Sequence, residues 1–182
     1  DKSAMPLWMV FHNQIDIFQN EISSSYGRGL IIDLHGQSHP EERIELGYLL
    51  NGSMLRDLEQ NATDYSNQVS IKNLISNHPK QTSFQQLLVG ENSLGTLLSE
   101  QDFAAVPSQS DQAPLESQLF FSGGHNTINY GSRDSGTIDA IQVELNRAGL
   151  RAESDDRQRF ANVFSNIIID YLTVHYSDAF TP

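Results

Sequence analysis

An apolar, β-branched run that stops at Asp-x-His-Gly constrains this chain more than any other stretch. The segment is Gly29-Leu30-Ile31-Ile32-Asp33-Leu34-His35-Gly36. Bounded by glycine and too short for a helix, Leu30–Leu34 reads as a buried strand. Polar residues at the end of such a strand cost free energy unless they are paired or take part in chemistry. Strand side chains alternate, so Asp33 and His35 project to the same side. At the carboxyl end of a strand in an α/β sheet, they meet the crevice where ligands bind. A neutral imidazole there suits zinc, and a neighbouring carboxylate can orient it. The simpler reading is a hydrogen-bonded Asp–His pair with no ligand.

The surrounding pattern is that of an α/β protein. Leu7, Val10, Phe11, Ile15, Phe18 and Ile22 recur at spacings of three and four, which predicts a helix from about Pro6 to Ser23. Pro6 suits its first turn. Arg43–Leu50 alternates, with Ile44, Leu46 and Tyr48 opposite Glu45 and Gly47, and reads as a second strand. Met54–Leu58 reads as a short helical turn, and 70–76 and 84–89 as short elements of undecided type. Asn92 or Ser93 would cap a helix to about Gln101. The stretch Val106–Glu116, rich in Pro, Ser, Gln and Asp, reads as a surface loop. Leu119–Phe121 reads as a short strand. Ile138–Leu145 reads as a longer one, with Ile141, Val143 and Leu145 on one face and Gln142, Glu144 and Asn146 on the other. Ser154 is the expected N-cap of a final helix, helped by Asp155 and Asp156 at its positive end. Its stripe of Phe160, Val163, Phe164, Ile167, Ile168, Tyr171 and Leu172 is expected to pack on the sheet.

Bulk properties narrow the function classes. A chain of 182 residues suffices for one domain with a sizeable core. Its formal charge is −12 and its Lys and Arg residues are scattered, which argues against a nucleic-acid surface and a polybasic membrane patch. No apolar run approaches the roughly 18–20 residues of a membrane span. With no cysteine, a thiol nucleophile and a thiolate zinc site are excluded. Neither a phosphate-binding glycine loop nor a Gly-x-Ser-x-Gly elbow occurs. The sequons Asn51-Gly52-Ser53 and Asn61-Ala62-Thr63 point to a secreted glycoprotein if used; ordinary polar turns are the simpler reading.

Downstream lie Phe120-Phe121-Ser122-Gly123-Gly124-His125-Asn126-Thr127, Tyr130-Gly131, and Ile141-Gln142-Val143-Glu144-Leu145-Asn146-Arg147. With the Asp-x-His strand before them, these resemble the N-formylglutamate amidohydrolase family in order and spacing, from about Phe11 to Tyr176, loosely between Asn51 and Gln118. The resemblance implies an α/β fold with a mixed sheet flanked by helices, like the phosphorylase/hydrolase-like fold of zinc carboxypeptidases. It also implies a metal-dependent hydrolase that cleaves a small, formyl-like acyl group from an amide or ester. His35 would be a zinc ligand, Asp33 its orienting carboxylate and Glu144 the general base.

Substrate contacts would come from Arg147 and Arg151, whose guanidinium groups match a carboxylate, and from Gly124, His125, Asn126 and Asn129. The bland alternatives are a solvated strand face for Glu144 and structural ion pairs for the arginines. His125 stands where the family usually has an aromatic, and the turn 126–131 lacks the family's Arg. The family's earlier His and Glu ligands have no match before Asp33, where His12 is the only histidine. The chain also opens on Asp1 without Met. Residues 1–182 are therefore expected to form a single α/β domain that is the C-terminal part of a larger one, or one chain of a processed two-chain protein. The remaining zinc ligands would come from an amino-terminal segment outside this sequence or from a companion N-terminal chain. The competing expectation is a non-catalytic, extracellular binding or structural protein that retains the scaffold.

Overall fold

The computed structural model describes residues 4–177. A helix α1 (Ala4–Tyr26) leads into strand β1 (Gly29–Gly36), and β2 (Ile44–Gly47) follows. Five short helices come next: α2 (Gly52–Arg56), α3 (Leu58–Tyr65), α4 (Lys72–Asn77), α5 (Phe84–Val89) and α6 (Leu94–Ser99). Strand β3 (Ala105–Val106), helix α7 (His125–Tyr130), strand β4 (Ile138–Leu145) and the long helix α8 (Ser154–His175) complete the elements of the described residues. The four strands form one mixed sheet in the order β1-β4-β2-β3. β1 runs parallel to β4, β2 antiparallel to β4, and β3 parallel to β2. The fold is thus α/β, with a mixed sheet flanked by helices.

Alternation along the strands sorts the sheet into an apolar face and a polar one. Ile44, Leu46, Tyr48, Ile141, Val143 and Leu145 are buried in the core, with Leu30 and Ile32 packed against it. Against this face α8 lays Phe160, Phe164, Ile167 and Tyr171, four members of the expected stripe, and α5 and α6 add Leu87, Leu88, Leu94 and Leu98. The spacing of three and four turns these α8 side chains to one side of the helix. Ser93 and Ser83 cap α6 and α5 by accepting the backbone N–H of Thr96 and Gln86.

The end of α8 is fastened by polar contacts. Tyr176 Oη donates to Asp139 Oδ2 (2.9 Å), and Arg28 Nη2 donates to the His175 carbonyl (3.0 Å). His175 Nδ1 meets His78 Nε2 at 2.8 Å, and its Nε2 meets the Asn92 carbonyl at 2.8 Å.

Three sequence expectations need correction. Leu119–Phe121 is not a strand and joins no ladder of the sheet. The Phe121 N–H donates to the Glu45 side chain, and the Ser122 carbonyl accepts from Leu49 N. The stretch from Val106 is not wholly a surface loop. Val106 lies in β3, Ser108 is fully buried, and Arg43 holds the loop by an ion pair to Asp111 at 2.7 Å. At α8, Glu153 rather than Ser154 occupies the N-cap position, with no side-chain cap bond.

Helix α1 is longer than its periodicity predicts, and its apolar stripe is mostly uncovered among the described residues. Leu7, Val10, Phe11 and Phe18 are all more than half exposed. The helix touches the rest of the fold through Ile22 beside Gly29, Ser23 beside Thr137, Gln19, which donates to the Tyr130 carbonyl at 2.7 Å, and the rings of Trp8 and His12. β1 beside it is an edge strand, with Leu34 54% exposed. At the sequons, Asn51 caps α2 by accepting Met54 N, and Asn61 Nδ2 donates to Asp57.

Candidate functional site

Strand register assembles the polar face. Asp33 pairs with Gln142 and His35 with Glu144 across β1 and β4. On the other flank, Glu45 pairs with Glu144 and Gly47 with Gln142. Partners in register project to the same side, about 5 Å apart. His35, Glu144 and Glu45 therefore stand abreast, at the carboxyl ends of the parallel pair.

Each side chain has a definite partner. His35 Nε2 lies 2.9 Å from Asp33 Oδ2, which leaves Nδ1 of a half-exposed ring for another contact. Asn126 Nδ2, at the start of α7, donates to Asp33 Oδ1 at 3.0 Å. Glu144 Oε1 accepts from Gln142 Nε2 at 2.6 Å. The Gln142 oxygen is buried without a partner and faces Gly124. Glu45 is fully buried; Oε1 lies 2.8 Å from His39 Nδ1 and Oε2 accepts from Phe121 N at 2.7 Å. The His39 ring stacks on Phe121, centroids 4.5 Å apart.

The segment Phe121–Gly124 roofs this face at close range. A Cβ on Gly47 would meet the Gly123 nitrogen at 2.5 Å and its Cα at 2.7 Å, so only glycine lets the turn settle there. Gly123 itself has φ +122°, a conformation that side chains resist. Gly124 is the N-cap of α7, and its N–H donates to Thr127 Oγ1 at 2.8 Å. Gly47→Ala is expected to push the turn off the sheet and to cost about 1–3 kcal/mol, as overpacking does. Urea unfolding checks it; an unchanged midpoint would contradict the close approach.

The remaining sequence-predicted residues divide in two. Arg147 is exposed and lines an open cavity of about 400 Å³ together with His39, Asn146 and Glu42. Arg151 is tied to the backbone instead: Nε donates to the Leu145 carbonyl (3.0 Å) and Nη2 to the Gln37 carbonyl (2.6 Å). Asn129 donates to the His125 carbonyl within its own helix. His125 is exposed, and its ring lies edge-on to His12 at 5.0 Å and to Trp8 at 6.3 Å. His12 in turn bonds Tyr130 Oη and stacks on its ring.

One functional candidate escaped the sequence reading, Glu45; His39, close to His35 in sequence but followed by Pro40, is placed beside Glu45 by the fold. The alternation of 44–48 set Glu45 on the polar side of β2; only the β2–β4 register sets it beside Glu144. Among the described residues, no three His, Asp or Glu side chains converge to hold a metal ion. No protein-family model matches the chain, and neither a curated protein nor a solved structure is similar to it.

Proposed function

We propose that the polar face belongs to a metal-dependent hydrolase that cleaves a small, formyl-like acyl group from an amide or ester. The observation that carries this reading is the register that sets His35 and Glu144 abreast where α/β sheets bind ligands. Glu144 takes the proton of the attacking water and returns it to the leaving nitrogen or oxygen. Asp33 fixes the ring of His35, and Arg147 receives an acidic group of the substrate. In this reading the architecture is the phosphorylase/hydrolase-like one of zinc carboxypeptidases.

Zinc would activate the water, and it needs three protein ligands. The described residues offer His35 and no converging second or third donor, so by themselves they do not make a zinc site. The further ligands would come from outside this chain, on a companion segment seated against the open stripe of α1 and the edge of β1. The same incomplete donor set favours a second reading, an extracellular binding or structural protein that keeps the scaffold without the reaction.

Metal analysis of the purified protein, with mass spectrometry for a companion chain, tests the proposal. Zinc that co-purifies with the wild type and is lost in His35→Ala is the expected result. Zinc retained at wild-type level in His35→Ala overturns His35 as a ligand. Metal-free protein that binds a small acyl amide without turnover supports the non-catalytic reading.

A further inference from the structure

The His39–Glu45 pair has the anatomy of an acid–base dyad and needs no metal. A buried carboxylate that receives two N–H bonds fixes its partners in place. Glu45 receives them from Phe121 N and His39 Nδ1. Because Glu45 only accepts, the proton of a neutral His39 sits on Nδ1, and the Nε2 lone pair is left over. No described residue takes up that lone pair. The ring is further held by its stack on Phe121 and by the His39 N–H, which donates to the Gln37 side chain. Gln37 is itself buried and donates to the Arg43 carbonyl. An imidazole fixed this firmly loses little freedom when it acts.

His39 also lines the cavity of about 400 Å³ whose wall includes Arg147. That volume accepts a small acyl ester and a water molecule. A guanidinium in the same space supplies a fixed positive charge for a developing oxyanion or for the acid product.

We propose that His39, oriented by Glu45, hydrolyses small activated acyl esters in this cavity without a metal ion. Nε2 accepts a proton from water as the water oxygen bonds to the ester carbonyl carbon. The carbonyl π pair moves to oxygen. When it returns, the bond to the alcohol oxygen breaks and the Nε2 proton passes to that oxygen. The products are a carboxylic acid and an alcohol, and water is the sole co-reactant. Glu45, bonded to Nδ1, stabilises the transient imidazolium. This activity is separate from the Glu144 reading, since it uses a different base and survives chelation.

The test is hydrolysis of p-nitrophenyl acetate by the intact chain in excess EDTA. The wild type is expected to exceed the buffer rate, and His39→Gln to lower the catalysed rate roughly 10²–10⁴-fold, the usual worth of a general base. Glu45→Gln, which keeps the shape of the buried side chain, is expected to lower it as well. Thermal unfolding of both variants reports whether the fold is retained, and rates are compared only below the unfolding transition of each. Diethyl pyrocarbonate gives a readout besides turnover: mass spectrometry should find His39 carbethoxylated in step with loss of the esterase rate. A wild-type rate equal to buffer, or a rate unchanged in His39→Gln, overturns the proposal. Loss of amide turnover in EDTA with ester turnover intact would separate this site from the zinc reading.

Discussion

Glutamine at position 144 is expected to leave the fold intact and to lower turnover of a small acyl amide roughly 10²–10⁴-fold. That range corresponds to about 3–5 kcal/mol of transition-state stabilisation. The side chain sits on the second strand of the sheet and is 5% exposed, so its shape matters to packing. Gln keeps that shape, and its carbonyl oxygen still accepts the bond from Gln142 Nε2. What it loses is the ability to take a proton from water. The measurement is kcat and KM alongside the unfolding midpoint. A fall in kcat with an unmoved midpoint is the expected pattern. A rate untouched by Glu144→Gln removes Glu144 as the base.

The second large effect concerns acid stability. Burial lowers His175 from 6.5 to about 4, partly offset by its bond to the Asn92 carbonyl. Burial raises Asp139 from 3.8 to about 6, against the hydrogen bonds from Ser132, Tyr176, Leu74 N and Asn73. The signs oppose each other. As pH falls from 6.5 to 4, the unfolded chain protonates His175 before the folded one does, and stability is lost. As pH falls from 6 to 3.8, the folded chain protonates Asp139 first, and stability is gained. At about 1.4 kcal/mol per tenfold change in proton affinity, each amounts to roughly 3 kcal/mol. In the wild type they largely cancel between pH 6 and 4. Asp139→Asn should expose the acid loss of His175, and His175→Gln the acid gain of Asp139. Urea unfolding across this range should therefore give slopes of opposite sign in the two variants. Parallel curves for all three proteins would refute the opposition.

Burial is the main reason His175 resists protonation, and the hydrogen bonds fix the tautomers of the His175–His78 pair. Its Nε2 faces a carbonyl, so Nε2 carries the proton and Nδ1 accepts. His78 Nδ1 accepts from the backbone N–H groups of Lys80 and Thr82, so His78 Nε2–H donates to His175. A second proton on His175 would set N–H against N–H.

Periodicity made the long elements legible. β4 runs over Ile138–Leu145 as its alternation predicted, and α1, β1 and α8 depart only at their ends. Each has enough residues for its own pattern to outweigh its surroundings. β3, only two residues long, has no pattern to read. At the site, the shared side of Asp33 and His35 follows from a spacing of two. The bond from Asn126 to Asp33 spans 93 positions, and the pairing of Glu45 with Glu144 depends on strand order. Neither is a local property of the chain. Arg151 was read as a substrate contact because its chemistry fits a carboxylate; its donors are instead directed to the main chain at Leu145 and Gln37.

The strand order also fixes when this protein can fold during its synthesis. β1 and β2 are neighbours in sequence yet do not pair; each reaches the other only through β4. Residues 138–145 leave the ribosome well after β1, and until they do, β1 lacks its partner among the described strands. Closing the intervening chain costs entropy before any ladder forms, which slows assembly of such non-local sheets. A nascent chain that ends before Ile138 thus carries an apolar strand with both edges unpaired, and chaperone engagement should persist until β4 emerges.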